Sequence, residues 1–266
     1  MSMEQSYERR FGGIARLYGR AALERFRAAH VCVIGVGGVG SWSAEALARS
    51  GVGKITLIDL DDVCVSNTNR QLPAMLGNYG RMKVAVLKAR ILAINPDCEV
   101  HAVEDFVVAE NLDDYLGRGF DYVIDAIDSV KTKAAIIAWC KRHKVKLITT
   151  GGAGGQTDPT QIRIDDLTRT IQDPLASKVR ALLRREYGFP KGDKKFGVDC
   201  VYSTEQLLYP QLDGTVCAHK PQHMGVEGEG AVRLDCEGGF GASVAVTGSF
   251  GFAAVSRVLR KLADQH

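Results

Sequence analysis

The 266-residue sequence has 45% hydrophobic residues, 24% charged residues and a formal net charge of +3, the balance of an ordinary globular chain. That composition excludes disorder, collagen and coiled coil, and a chain of this length buries enough surface to fold without disulfide or metal staples. The cysteines at 32, 64, 98, 140, 200, 217 and 236 form no C-x-x-C pair, which argues against a disulfide framework or a knuckle-type zinc site.

At the amino terminus, Arg9-Arg10 invites an export-signal reading, but Arg16, Arg20, Glu24, Arg25 and Arg27 break the apolar run such a signal needs. The expectation is a cytoplasmic protein with reduced thiols. Residues 31–34 are an apolar strand ending in glycine, and 39–49 recur at helical spacing until Gly51. The β-branched run 54–59 suits a strand buried on both faces of a parallel sheet. Alternation continues with a helix over 81–94, strands at 99–103 and 122–126, a helix over 131–143 and a strand at 146–149.

After the glycine loop 151–155 the pattern changes to a strand at 161–164, a helix over 174–187, a basic loop to 197 and a strand at 198–208. Hairpin-like pieces around Asp213-Gly214 and Arg233-Leu234 precede a last helix over 242–262. The fold class expected is α/β: a Rossmann-like, doubly wound, mostly parallel sheet, extended by antiparallel strands in the carboxyl-terminal half. One domain over 1–266 is expected, with 30–150 holding a nucleotide and 151–266 shaping the substrate side. Residues 238–256 are uncharged and nearly bilayer length. Their glycines and hydroxyls favour a buried helix over membrane association.

Glycine is enriched, 29 residues against a usual share of ~7%, and the cluster that matters is Gly35-Val36-Gly37-Gly38-Val39-Gly40 between a strand and a helix. Its backbone N–H groups and the helix dipole face an anion, and Asp59 at the end of the next strand can accept ribose hydroxyls. These features alone leave NAD and ATP both open. The segment from Asp59 to Gln71 adds Asp61, Asn67, Arg70 and Gln71, a density of polar groups that suits a triphosphate. Arg70 can neutralise phosphate charge through bidentate bonds and Asn67 can orient the attacked phosphate. Lys83 adds a point charge, and Asp128 falls at a strand's carboxyl end, where a magnesium ligand meets phosphates.

In order and spacing these motifs, together with Ile94-Asn95-Pro96 and Asp125-x-x-Asp128, resemble the adenylation core of ubiquitin-activating-like enzymes, which include the sulfur-carrier adenylyltransferases. The resemblance spans residues 10 to 150. It implies that Asp59 holds the ribose, that Asn67, Arg70 and Lys83 hold the phosphates, and that Asp128 binds magnesium. The paired C-x-x-C ligands usual in the sulfur-carrier branch are missing. The amino-terminal segment Arg10 to Gly19, the loop Gly151 to Thr160, Ile171-Gln-Asp-Pro174, the run Gly197 to Glu205 and Asp235-Cys236 instead resemble the bacterial tRNA threonylcarbamoyladenosine dehydratases, nearly end to end.

That resemblance implies ATP-dependent activation of the threonine carboxylate beside the anticodon, followed by ring closure through the ureido oxygen with net loss of water. It also implies a homodimer, with Arg10 and Arg16 as candidates to reach a partner's nucleotide, and a cysteine desulfurase with its sulfur acceptor as associates. No DNA partner is implied. The other reading is an enzyme that activates the carboxyl terminus of a ubiquitin-like or sulfur-carrier protein. Cys236 and Cys64 are read as core thiols, and the histidines at 101, 143, 219 and 223 as surface groups. For a tRNA, the candidate contacts are Lys178, Arg180, Arg184, Arg185, Lys191, Lys194 and Lys195, which only Glu186 and Asp193 oppose.

Overall fold

The structure, a computed structural model, describes residues 3–211, 213–219 and 240–264. Two helices, α1 (Met3–Tyr18) and α2 (Arg20–Ala28), precede the sheet and meet at Gly19. The βα alternation follows as β1 (His30–Ile34), α3 (Gly40–Arg49), β2 (Lys54–Ile58), α4 (Lys83–Ile94), β3 (Glu99–Val103), α5 (Leu112–Leu116), β4 (Tyr122–Asp125), α6 (Val130–Arg142) and β5 (Leu147–Thr150). The second half contributes β6 (Ile162–Asp166), α7 (Pro174–Glu186), β7 (Asp199–Ser203), the short pair β8 (Tyr209–Pro210) and β9 (Val216–Cys217), and α8 (Val244–Ala263).

Seven strands form one sheet in the order β3-β2-β1-β4-β5-β7-β6. All neighbours are parallel except β6, which runs antiparallel to β7. The continuous apolarity of the central strands is explained by helices on both faces. In β1, Val31 and Val33 pack into the core beneath α2, α3, α4 and α8, while Cys32 and Ile34 pack into the core beneath α5, α6 and α7. Successive strands move outward from β1 to β3 and then return to β4 on its other side. The switch point between β1 and β4 opens a crevice at the strands' carboxyl ends.

The expected strand at 198–208 is shorter, because Ser203 pairs with Ile162, the first residue of β6, and the chain beyond it has no partner strand. Asp213-Gly214 turns the β8–β9 hairpin, with Gly214 at φ 82. Arg233-Leu234, Cys236 and His223 lie outside the described residues. Helix α8 is a packing element: a Cβ at Gly251 would lie 2.6 Å from the Val39 carbonyl oxygen, and Gly248 faces the Trp42 ring. Those glycines let it approach α3 closely. Among the described residues, no helix is long and apolar enough to cross a membrane.

Candidate active site

The glycine loop closes over the carboxyl end of β1. Gly35 has φ 78, donates its N–H to the Ile58 carbonyl at 2.9 Å, and has Ile127 so close that an added Cβ would sit 2.8 Å from the isoleucine methyl. A Cβ on Gly40, the first residue of α3, would lie 1.8 Å from the Gly35 carbonyl oxygen. No side chain fits there, so the loop's backbone faces the crevice at the amino terminus of α3. Over the loop lie Gln71, with its amide nitrogen 3.7 Å from a Cβ position on Gly37, and Arg70 and Thr247, each 3.5 Å from one on Gly38.

Asp59 follows β2 and reaches back to the loop. Its carboxylate accepts the Val36 N–H at 2.7 Å and the Asp61 N–H at 2.9 Å. Burial pushes its pKa above the ordinary carboxylate range, against the pull of Lys83. Residues 61–63 pair with 80–83: Val63 donates to the Arg81 carbonyl and Lys83 to the Asp61 carbonyl. That pairing carries the buried Lys83 ammonium to 2.7 Å from the exposed Asp61 carboxylate. The two residues read from the sequence as nucleotide ligands are thus an ion pair at the crevice wall.

A helical turn over Val65–Asn67 presents the next group. Asn67 is buried, its side-chain oxygen accepts the Cys64 N–H at 3.1 Å, and its carbonyl takes the N–H groups of Arg70 and Gln71. Trp42 of α3 donates its indole N–H to the Arg70 carbonyl at 3.0 Å, which fixes the backbone. The Arg70 guanidinium bonds the Ser66 carbonyl and the Asn69 side chain, both at 2.9 Å. Asp128 is exposed in the loop after β4, directly before Ser129, whose hydroxyl caps α6.

These placements fit a nucleotide. Two buried polar atoms beside the glycine loop, Oε1 of Gln71 and Oγ1 of Thr247, have no hydrogen-bond partner among the described residues. Buried polar atoms are normally satisfied, so their orphaning marks where a ligand's polar groups belong. For magnesium, the described residues hold no cluster of three potential ligands. A single exposed carboxylate suits an ion carried mainly by phosphates and water, and Asp128 supplies it.

Beneath the site lies a group that the sequence reading does not single out. Lys133, almost fully buried, bonds Asp125 Oδ2 at 2.8 Å and Thr149 Oγ1 at 3.0 Å, and Thr149 donates to the same carboxylate at 2.7 Å. Asp125 also accepts the Ile127 N–H at 3.3 Å and so anchors the loop to Asp128. Across β5, buried Asp173 accepts the N–H of Gly152 at 3.0 Å and caps α7 through Ala176 at 2.8 Å. Burial raises its pKa, and nearby Lys133 opposes the rise. A cavity of about 260 Å³ lies beside this cap, lined by Asp173, Ser177, Arg180 and Tyr209. Glu205 holds the far end of the second glycine loop, 151–155, accepting the Thr157 and Asp158 N–H groups at 3.0 and 2.9 Å.

A family model described as the ThiF family matches residues 7–264. The chain belongs to the ThiF family. Within it, the chain is 58% identical over 261 residues to a tRNA threonylcarbamoyladenosine dehydratase of Escherichia coli, covering 98% of this chain and 96% of that protein. It is 55% identical over 264 residues to the enzyme of the same name from Haemophilus influenzae, with 98% and 96% covered. The crystal structure of the E. coli dehydratase in complex with ATP superposes with a TM-score of 0.86 at 52% identity, covering 98% of this chain and 97% of that one. Asn95, of the Ile94-Asn95-Pro96 motif, is structural here: its amide donates to the Val52 carbonyl at 3.2 Å at the end of α4.

The basic segment divides in two. Arg180 donates to Thr170 and to the Leu167 carbonyl, and Arg184 to the carbonyls of Pro190 and Gly192 while its guanidinium lies over the Phe196 ring. Lys178, Arg185, Lys191, Lys194 and Lys195 are exposed. The structure corrects the reading of Cys64, which is exposed with its thiol toward Asp62, whereas Cys32, Cys98, Cys140 and Cys200 are buried. Burial pushes the Cys98 and Cys140 thiols up to about 12. His101, His143 and His219 are at the surface as expected.

Proposed function

We propose that this protein is an ATP-dependent tRNA threonylcarbamoyladenosine dehydratase that adenylates the threonine carboxylate. The observation that carries the reading is the glycine cradle with its two orphaned polar atoms, in a chain that matches the dehydratases over nearly its full length.

Asp59 holds the ribose, exchanging its Val36 contact for the sugar hydroxyls. The glycine loop and Asn67 cradle the phosphates, and Arg70 swings from Ser66 and Asn69 onto the charge that develops when pyrophosphate leaves. Lys83, preset by Asp61, adds a fixed positive charge, and Gln71 lines the cradle. Asp128 holds magnesium, which neutralises the phosphates when bound. The carboxylate oxygen attacks the α-phosphorus, and pyrophosphate departs. An atom of the ureido group in the same side chain then attacks the activated carbonyl carbon, and AMP leaves with the former carboxylate oxygen. The ureido proton passes to solvent, so the nucleoside has lost one water.

One domain carries both halves of this chemistry, the nucleotide over 30–150 and the tRNA side over 151–266. The working protein is a cytoplasmic homodimer in which Arg10 or Arg16 reaches the partner's nucleotide. A cysteine desulfurase and its sulfur acceptor are proposed associates. Exposed Lys178, Arg185, Lys191, Lys194 and Lys195 meet tRNA phosphates. Incubation with ATP, magnesium and tRNA bearing threonylcarbamoyladenosine, followed by nucleoside mass spectrometry, tests the reading. Loss of one water that depends on ATP supports it; an unchanged nucleoside from a folded, ATP-binding enzyme refutes it.

A further inference from the structure

At the amino-terminal edge of the sheet, opposite the nucleotide crevice, a cleft of about 630 Å³ opens beneath Tyr122, Leu147 and Asp199, the first residues of β4, β5 and β7. Its rim is cationic. Lys141, Lys144 and Lys146 come from the end of α6 and the turn after it, Lys195 from the loop before β7, and Arg257 and Lys261 from the last turns of α8.

Three carboxylates share the lining, and each already has partners. Asp199 takes both N–H groups of Arg257 at 2.7 and 2.8 Å. Asp166 accepts the backbone N–H groups of Thr168, Phe196 and Gly197. Asp165 faces Arg169 at 3.8 Å. Lys141 is held by the Gly197 carbonyl at 3.2 Å. Lys144, Lys146, Lys195 and Lys261 are exposed, and their ammonium groups form no hydrogen bond or ion pair among the described residues. Lys144 takes φ 58 directly after the cap of α6, a left-handed position where helices usually place glycine. The six cations of the lining outnumber its three carboxylates, and four of those cations, from three separate elements, face the opening without an ion-pair partner among the described residues.

We infer that this cleft is a second phosphate-binding site of the enzyme, taking backbone phosphates of the tRNA stem while the side chain of the modified base reaches the ATP bound in the nucleotide crevice. The inference rests on the dehydratase reading for the identity of the RNA. A polynucleotide is the occupant the charge favours, because Lys195 on the cleft rim belongs to a loop whose Lys191 and Lys194 are exposed as well, so the cationic character continues along the chain beyond the opening. Strands of four or five residues separate the two edges by roughly 13–16 Å, a distance that one RNA bound at the crevice can span.

The test measures binding of fluorescein-labelled tRNA to the full-length protein by anisotropy over a salt series. The double variants are Lys144→Glu/Lys146→Glu and Lys195→Glu/Lys261→Glu, and Lys88→Glu/Arg118→Glu is a charge-matched control elsewhere on the surface. Each cleft variant is expected to bind tRNA at least tenfold more weakly and to flatten the logarithmic salt dependence by about one for each phosphate left unneutralised. ATP affinity and melting temperature stay at wild-type values. Cleft variants within twofold of wild type, or a control that loses as much affinity as they do, would overturn the site. Mass spectrometry of the nucleoside with wild-type enzyme reports separately on the dehydratase reading, so failure of one is distinguishable from failure of the other.

Discussion

The Lys133 ammonium lies 2.8 Å from the Asp125 carboxylate, and both groups are almost wholly withdrawn from water. Asp125 ends β4 and holds the Ile127 N–H, so the pair fixes the loop that carries Asp128 to the sheet. Lys133→Met leaves a buried carboxylate uncompensated, which costs about 3–5 kcal/mol. The expected result is a melting temperature lower by on the order of 10 °C. Thermal unfolding checks this, and a shift of only a degree or two would mean that the pair does not hold the loop to the sheet.

Asp128, in contrast, is exposed, and its side chain makes no hydrogen bond or ion pair among the described residues. Asp128→Ala should leave the melting temperature in place and abolish magnesium-dependent turnover. Turnover across a magnesium titration decides the matter, and wild-type rates in the variant would remove Asp128 as the metal ligand.

Arg70 contributes through its guanidinium, because its backbone is held independently by Trp42. Arg70→Ala should therefore keep the loop and lose about 2–4 kcal/mol of transition-state stabilisation. Steady-state kinetics should show kcat/KM lower by about 30- to 900-fold. A loss confined to KM for ATP would assign Arg70 to ground-state binding instead.

His30, at the start of β1, has its pKa lowered from 6.5 to about 4, first by burial and then by Lys54. Its ring bonds the Thr56 hydroxyl at 2.8 Å. Above pH 6.5 neither the folded nor the unfolded state holds the proton, so stability is unaffected. As pH falls from 6.5 to 4 the unfolded chain takes up a proton that the folded protein refuses, and stability declines. Melting temperatures of wild type and His30→Gln across that window should converge toward pH 4; parallel curves would contradict the assignment.

The nucleotide half is readable in the sequence because its signals are local. Continuous apolar strands, a glycine loop and Asp59 about 20 residues on each follow from what a buried parallel sheet and a helix terminus require. The amino-terminal helices α1 and α2 escape such a reading, since their charged residues mask the few buried positions Tyr7, Phe11, Leu23 and Phe26. Pairings between distant elements are equally hidden. Lys133 looks like a surface lysine in its helix, and only the closeness of β4 and β5 shows that it is a buried counter-ion. The run of cations over 178–195 does not by itself distinguish Arg180 and Arg184, which hold backbone carbonyls, from the lysines left to solvent. Lys144, Lys146 and Lys261 lie outside that segment, so charge density along the chain gives no hint of the cleft they share.

Everything in the proposed chemistry turns on which group ATP activates. Single-turnover reaction with tRNA whose threonylcarbamoyl carboxylate carries oxygen-18, followed by mass spectrometry of the AMP released, tests this directly. Adenylation of the carboxylate predicts one labelled oxygen in the AMP for each nucleoside that loses water. Unlabelled AMP alongside a dehydrated nucleoside would contradict it, placing the activation on another atom of the side chain.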